Sequence, residues 1–454
     1  MAATGDMTET APAPPAARSW RGFGLSASAI GLLVVIDQLL LPMFHFGNFP
    51  FKPTYLLVGL WAVDQMVRNP VTAMNGWQAR HFRDVSLMFG LIAACALLGT
   101  LYFNALYGAS DLGLTVKNLT MLLLAAMSFG VGITATRFRM SWLVGVLAAA
   151  LAINLLFIVL RSAMPAWIVN LYFPPLAVEN LSKLGVKSAS DILELSRPRG
   201  MTSNPNGSAF MVNIIVLFIY CGLRFRFIPR PGVVVGAMLV FMPMALSMVL
   251  ASRGEFLSAA ILGFLNLRLL LNGASAQWRL RMFVVCILLG CAGIYGVARI
   301  GLGDSLLANL QRIASIMRVL NERQAAVEGD VQTDTVVRPL LTAKEMSVRF
   351  VISPLFGSGY ASTSGPPFDQ GTEYFHNDWF WLVVTSGLVG VAAMLWFVLR
   401  YCVPITPVLV LPFVLPGMVN TFMLNIPVMM FFFFMMGVLL VKLHLRELER
   451  LRPD

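Results

Sequence analysis

The sequence predicts an all-α protein, a polytopic membrane helical bundle of about twelve transmembrane helices. Three observations carry that expectation. The composition is 58% hydrophobic and 12% charged with a mean hydropathy of +0.77, about half the charge of a water-soluble domain. Long apolar runs recur along the chain, bounded by charge or by Gly and Pro, and the basic residues between them fall overwhelmingly on alternate loops. Such a composition excludes a cytosolic enzyme, a secreted disulfide scaffold and a disordered chain. The formal net charge of +11 over 454 residues is then a question of where each cation lies, and no sign of nucleic-acid binding.

Residues 1–19 are rich in Ala, Pro and Thr, carry Asp6 and Glu9 and have no apolar core. They read as a disordered cytoplasmic tail and not as a signal peptide. Residues 20–454 are expected to form a single transmembrane domain. Stretches long enough to cross a bilayer fall near 23–44, 53–67, 84–106, 113–134, 141–161, 204–222, 232–251, 254–272, 280–298, 378–399, 404–419 and 425–441. The second is short and the eleventh is broken by Pro, so the expected count is ten to twelve. The run VMMFFFFMMG in the last span reads as lipid-facing bulk, with a groove for a prenyl tail as the alternative. The five cysteines, Cys95, Cys221, Cys286, Cys291 and Cys402, lie in or beside apolar runs without a CxxC pair, and read as buried small hydrophobes.

Orientation follows from the short loops. With the N-terminus inside, the inner segments hold eighteen Lys and Arg residues, whereas the short outer loops hold Lys52 and Arg253 alone. Both termini are therefore expected in the cytoplasm. Two long segments, 162–203 and 299–375, face outward, into the periplasm of a Gram-negative cell. In the second, Leu306, Leu307, Leu310, Ile313, Met317 and Leu320 recur at helical spacing opposite Arg312, Arg318 and Arg323. That pattern predicts an amphipathic helix on the outer surface. A further helix over about 340–352 leads into PLFGSGY and a Gly/Pro-rich stretch.

Topology narrows the residues able to do chemistry. His81 and His444 fall inside. His45 sits among aromatics in a short outer loop, and Asp37, Asp64 and Lys117 are weak leads for a lipid or acceptor path. His376 opens the tenth span in EYFHNDWFW, where Asn377 or Asp378 would cap the incoming helix. The string SRPRGMTSNPNGSAF precedes the sixth span, with Asn204 and Pro205 at N-cap and N1 and Asn206 behind them. Arg197 and Arg199 stand just before that cap, where free amides and the helix dipole favour an anion. Arg253, in the turn LASRGEF, is costly at the edge of a membrane and is a functional candidate on that ground, with Glu255 two residues on to neutralise it. Arg199, Arg253 and His376 thus all precede outward-facing helix starts. Two forked cations and a titratable base suit a substrate carrying a diphosphate at the membrane surface.

The RG plus NPN string, the SRG turn, the outer loop ending in PLFGSGY and the string HNDWFWLVVTSGLVGV, in that order on about twelve spans, resemble the O-antigen ligase and Wzy polymerase superfamily of bacterial membrane glycosyltransferases. The resemblance implies a GT-C-like fold. It further implies inverting transfer of an oligosaccharide from undecaprenyl diphosphate to an acceptor sugar hydroxyl, or to lipid A core, at the periplasmic face of the inner membrane. No metal or cofactor is implied; membrane lipids and other polysaccharide-assembly proteins are the expected partners, and nucleic acid is not. The family's loop arginine falls on Arg199, its turn arginine on Arg253 and its catalytic histidine on His376. Members often place a tryptophan among basic residues in the helix before PLFGSGY; this chain has Lys344 and Arg349 there without it. Polymerase and ligase share all these motifs, and a precursor transporter or flippase is the alternative from another class.

Overall fold

The computed structural model describes residues 27–42, 44–46, 49–67, 74, 76–108, 112–160, 164–172, 205–250, 253–299, 347–360, 378–414 and 425–451. Helices dominate: α1 (Ala27–Leu40), α2 (Pro53–Val67), α3 (Gly76–Tyr107), α4 (Leu112–Thr134), α5 (Trp142–Val159) and the short α6 (Ala166–Tyr172). They continue with α7 (Pro205–Arg224), α8 (Val233–Val249), α9 (Arg253–Leu271), α10 (Ala276–Arg299), α11 (347–352), α12 (Asp378–Phe397) and α13 (Ile426–Leu451). Among the described residues, α3, α4, α5, α7, α9, α12 and α13 supply seven helices long and apolar enough to cross a membrane, and α1 and α8 are shorter apolar helices. The chain is a multi-pass membrane protein of apolar helices. One small departure from all-α is a hairpin of β1 (Phe44–Phe46) and β2 (Phe49–Phe51), in which His45 pairs with Pro50.

Helix boundaries differ from the apolar runs where helices continue into water. α3 starts at Gly76 and takes in Arg80, His81, Arg83 and Asp84, while α13 runs on to Leu451. Hydropathy registers the apolar part of a helix, whereas Arg, Lys, Glu and Leu beyond the membrane edge still favour helix. The segment after α12 shows the opposite effect. A π-turn at Val398–Cys402, closed by the Val403 amide bonding the Val398 carbonyl, is followed by Val403–Ile405, a 3-10 turn at Pro407–Val410 and a last helical turn at Leu411–Val414. Pro404, Pro407 and Pro412 each remove a backbone donor. Thr406, immediately before a proline, is forced extended, with φ −165° and ψ 133°.

Named contacts fix the helix directions. Phe433 of α13 packs on Phe89 of α3 and Phe397 of α12, while Phe218 of α7 packs on Phe432. At one end, Lys442 Nζ donates to the Thr136 carbonyl just after α4 at 2.7 Å, and Arg446 Nη1 donates to the Phe225 carbonyl just after α7 at 2.6 Å. Trp77, at the start of α3, stacks on His444 there with ring centroids 4.1 Å apart. So α4, α7, α12 and α13 run together and α3 runs against them. Arg80, Arg83, Arg224, Arg226, Arg446 and Arg450 gather at this same end.

α13 is the central post. Every residue from Ile426 to Leu439 is buried, which overturns the expectation that VMMFFFFMMG is lipid-facing. A helix apolar on all sides belongs inside a bundle, and α13 has α1, α3, α4, α7 and α12 around it. Its closest crossing is with α4. A Cβ on Gly132 would collide with the Phe434 carbonyl oxygen, and one on Gly437 would stand 2.6 Å from the Ile133 nitrogen and the Phe129 oxygen. Lipid tails are as apolar as side chains, so association of helices in a membrane rests on such packing between small residues. The cysteine expectation holds in part: Cys95, Cys221 and Cys402 are buried, Cys286 is half-buried, and Cys291 is exposed on the outward side of α10.

Gly132→Ala is expected to destabilise the protein by about 1–3 kcal/mol through overpacking against backbone. Gly145 of α5, which meets nothing within 4 Å, serves as control: Gly145→Ala should be neutral or stabilising, since Ala favours helix. Thermal unfolding in detergent reads both.

Candidate functional site

The starts of α7, α9 and α12 lie at the end opposite the clustered arginines. α7 and α12 run parallel to α13, and α9 begins beside the third turn of α7, where Asn213 Nδ2 donates to the Glu255 carbonyl at 2.7 Å. Arg253 is the first residue of α9 and Asn206 the second of α7; their side chains fall outside the described residues. Arg197, Arg199, Asn204, His376 and Asn377 also lie outside the described residues. The helix starts that these residues precede or open lie toward the same end of the bundle, that of α9 against the third turn of α7. His376 is two positions from Asp378, which limits their separation to about 7 Å.

Glu255 and Asp378 each occupy a first helical turn and are buried. A carboxylate there is favoured by the helix dipole. Asn213, buried beside Glu255, leaves its Oδ1 without a hydrogen-bond partner among the described residues. Sequence reading missed Asn213; an Asn in the middle of an apolar span was its one signal.

The densest feature is a glycine-built lock below the start of α12. Gly387 interrupts that helix with φ 62° and ψ −164°. The loop after α11 inserts there: Ser358 N donates to the Val384 carbonyl at 2.6 Å, Gly359 N to Thr385 at 3.2 Å, and in return Leu388 N donates to the Pro354 carbonyl at 2.9 Å and Val389 N to Leu355 at 3.2 Å. Irregular backbone within a membrane protein survives only when its polar groups are satisfied internally, and this exchange satisfies them. Gly357 and Gly359 hold φ values of 72° and 63°, a region that L side chains rarely enter. A Cβ on Gly357 would stand 2.6 Å from the Val384 oxygen, and one on Gly359 would strike Thr100 of α3. Gly99 of α3 makes room from the other side, its Cβ position only 2.6 Å from the Gly359 nitrogen.

Arg349 completes the lock. It is fully buried, and its Nη1 donates to Ser358 Oγ at 3.1 Å, while Ser358 Oγ bonds the Val384 carbonyl at 3.1 Å. Arg349 therefore acts through Ser358 on the loop backbone. Tyr360 N donates to Thr100 Oγ1 at 2.9 Å, and the Tyr360 ring lies 6.3 Å from that of Trp381, one turn into α12. The segment 361–377, which carries His376, thus leaves and returns to the chain at neighbouring anchored points.

Lys52 joins the two helices that flank its loop. Counted from sequence as an outer-loop charge, it is buried, and Nζ donates to the carbonyls of Asp37, Gln38 at 3.3 Å and Leu41 at 2.8 Å. It caps the carbonyls left open at the end of α1. Asp37 has a structural role: its Oδ2 accepts from Thr54 N at 2.8 Å and from Thr54 Oγ1, capping the start of α2. Burial pushes the Lys52 ammonium down to about 8 against the partial support of Asp37. His81 and His444 belong to an aromatic cluster at the arginine-rich end, where His81 Nδ1 lies 3.0 Å from Tyr401 Oη.

Among the described residues no three His, Cys, Asp or Glu side chains gather as a metal site would require. No protein-family model matches the chain, and no curated protein matches it. The site therefore stands on its own residues.

Gly359→Ala is expected to loosen the lock, with faster hydrogen exchange at the Leu388 and Val389 amides and a stability loss of about 1–3 kcal/mol; Gly90→Ala, in open space, should change neither. Lys52 gives a pH dependence. Its folded pKa lies below its ordinary 10.5, so the unfolded chain binds more protons between the two values and stability rises across that window. Unfolding measured from about pH 8 to pH 10.5 should show a gain in the wild type, up to about 3 kcal/mol, that Lys52→Met lacks.

Proposed function

We propose that the chain is a membrane glycosyltransferase that moves an oligosaccharide from undecaprenyl diphosphate to an acceptor sugar hydroxyl at the outer face, in surface polysaccharide assembly. The observation that carries this reading is the common end shared by the starts of α7, α9 and α12, each preceded or opened in sequence by one of Arg199, Arg253 and His376. Helix starts present free amides and a positive dipole end, and forked guanidinium groups match phosphate oxygens while staying charged. The order of the sequence motifs supports the same reading.

The chemistry follows from these residue types. A lipid diphosphate is a good leaving group, so the enzyme has less need of the paired carboxylates of sugar hydrolysis. Arg199 and Arg253 stabilise the negative charge that grows on the diphosphate as its bond to the anomeric carbon breaks. His376, with an ordinary pKa of about 6.5, takes the proton from the attacking hydroxyl. General-base help of this kind is typically worth about 100- to 10,000-fold. Attack opposite the leaving group inverts the anomeric carbon. The lock at Gly357, Gly359 and Gly387 ties the chain before the segment bearing His376 to α12, and Arg349 braces the lock through Ser358.

Within this reading polymerase and ligase share every motif, and gel analysis of a deletion strain separates them. Single repeats on the lipid A core mean that a polymerase was lost; bare core with polymer left on the lipid carrier means a ligase. A transporter would instead be expected to place charge deep in several spans and matched broken helices in two halves. Here the freed backbone of α12 is taken up by the inserted loop.

His376→Ala should abolish glycan transfer in such a strain while the protein still accumulates in the membrane; near-normal polymer would remove the histidine from the mechanism. Arg253→Lys keeps the charge and loses the fork, so transfer should fall by about tenfold or more; full activity would make Arg253 a topology signal only.

A further inference from the structure

At the opposite, arginine-rich end a cleft of about 670 Å³ opens between the ends of α7 and α13. Arg224, Arg226, Arg446 and Arg450 line it, with Glu447 as its one carboxylate. None of the four is salt-bridged among the described residues. Arg446 is tied to the Phe225 carbonyl and Arg224 donates to Tyr220 Oη at 3.2 Å, so two of the guanidinium groups are held in place. Arg226 is the more telling residue. Its φ of 57° makes it the sole non-glycine residue with positive φ among the described residues. It stands just past the end of α7, where helices ordinarily place glycine. Arginine at this position costs backbone strain and adds a cation to an already cationic cleft.

The depth of the cleft identifies its occupant. Arg224 closes the apolar stretch of α7, and the unbroken apolar run of α13 ends at Val441, before Lys442. The arginines therefore sit where hydrocarbon gives way to headgroups. Phe225 and Leu443 supply apolar lining, and Leu448 and Leu451 are exposed close by on α13. We infer that this cleft is a binding site for the phosphate headgroup of an acidic glycerophospholipid of the leaflet on the arginine-rich side. Basic pockets between helices at that level suit anionic headgroups, and fixed guanidinium forks suit phosphodiester oxygens. A soluble polyanion would have no use for the flanking apolar side chains.

The test uses the full-length protein in a neutral detergent, with thermal unfolding and native mass spectrometry read together. Dioleoyl phosphatidylglycerol should raise the melting temperature by several degrees and remain bound, whereas dioleoyl phosphatidylcholine and inorganic phosphate should do neither. Arg226→Gly relieves the backbone and removes the cation, so its melting temperature in phosphatidylcholine should equal or exceed that of the wild type. Its apparent affinity for phosphatidylglycerol should fall by about fivefold, and Arg450→Gln should behave alike. Equal responses to the two lipids, or wild-type affinity in both variants, would overturn the site. An equal shift from inorganic phosphate alone, or tighter binding of a single-stranded oligonucleotide than of the lipid, would overturn its assignment to a lipid.

Discussion

At Gly132 and Gly437 two helices touch backbone to backbone, and the rest of the bundle is hung on that crossing. Because α4 approaches so closely, the ring row Phe431–Phe434 of α13 is driven outward into the surrounding helices. Phe433 meets Phe89 and Phe397, and Phe434 meets Phe138. Water supplies no drive for association between apolar helices in a bilayer, so dispersion between well-fitted surfaces has to do it. A methyl at either glycine would meet backbone of the other helix and force α4 and α13 apart.

The candidate site depends on a second contact of the same kind. Gly357, Gly359 and Gly387 let a loop enter a broken helix and trade hydrogen bonds with it, while Gly99 lets α3 close over the joint. Sites need rigid support to hold a base or a cation within a fraction of an ångström of its task, and backbone bonded to backbone is the stiffest support available. The buried Arg349 reinforces it through Ser358. The first joint holds α4 against α13, and the second holds the loop after α11 within the break in α12.

Much of this was legible in the sequence, for stated reasons. Apolar length between charges marked the helices, and the one-sided arginines correctly sorted residues such as Arg80, Arg224 and Arg446 to one end. Other features were hidden. The run at Met429–Met436 has no polar face to show a period, and lipid and protein core ask for the same residues, so composition alone misassigned it. Lys52 was visible as a charge, yet its partners are main-chain carbonyls that no sequence displays. The glycines of PLFGSGY and TSGLVG permit irregular backbone, but nothing in the sequence says that the two stretches interlock. Helix ends beyond the membrane edge were missed because hydropathy falls where helix propensity does not.

The central claim is chemical transfer at the outer face, and reconstitution tests it most directly. Purified protein in proteoliposomes would be given a labelled oligosaccharide on undecaprenyl diphosphate, an acceptor glycan, and either buffer or chelator. The account predicts that label passes to the acceptor with inverted anomeric configuration, that undecaprenyl diphosphate is released, and that chelator changes nothing. Labelled lipid crossing the bilayer with no transfer, or transfer abolished by chelator, would contradict it.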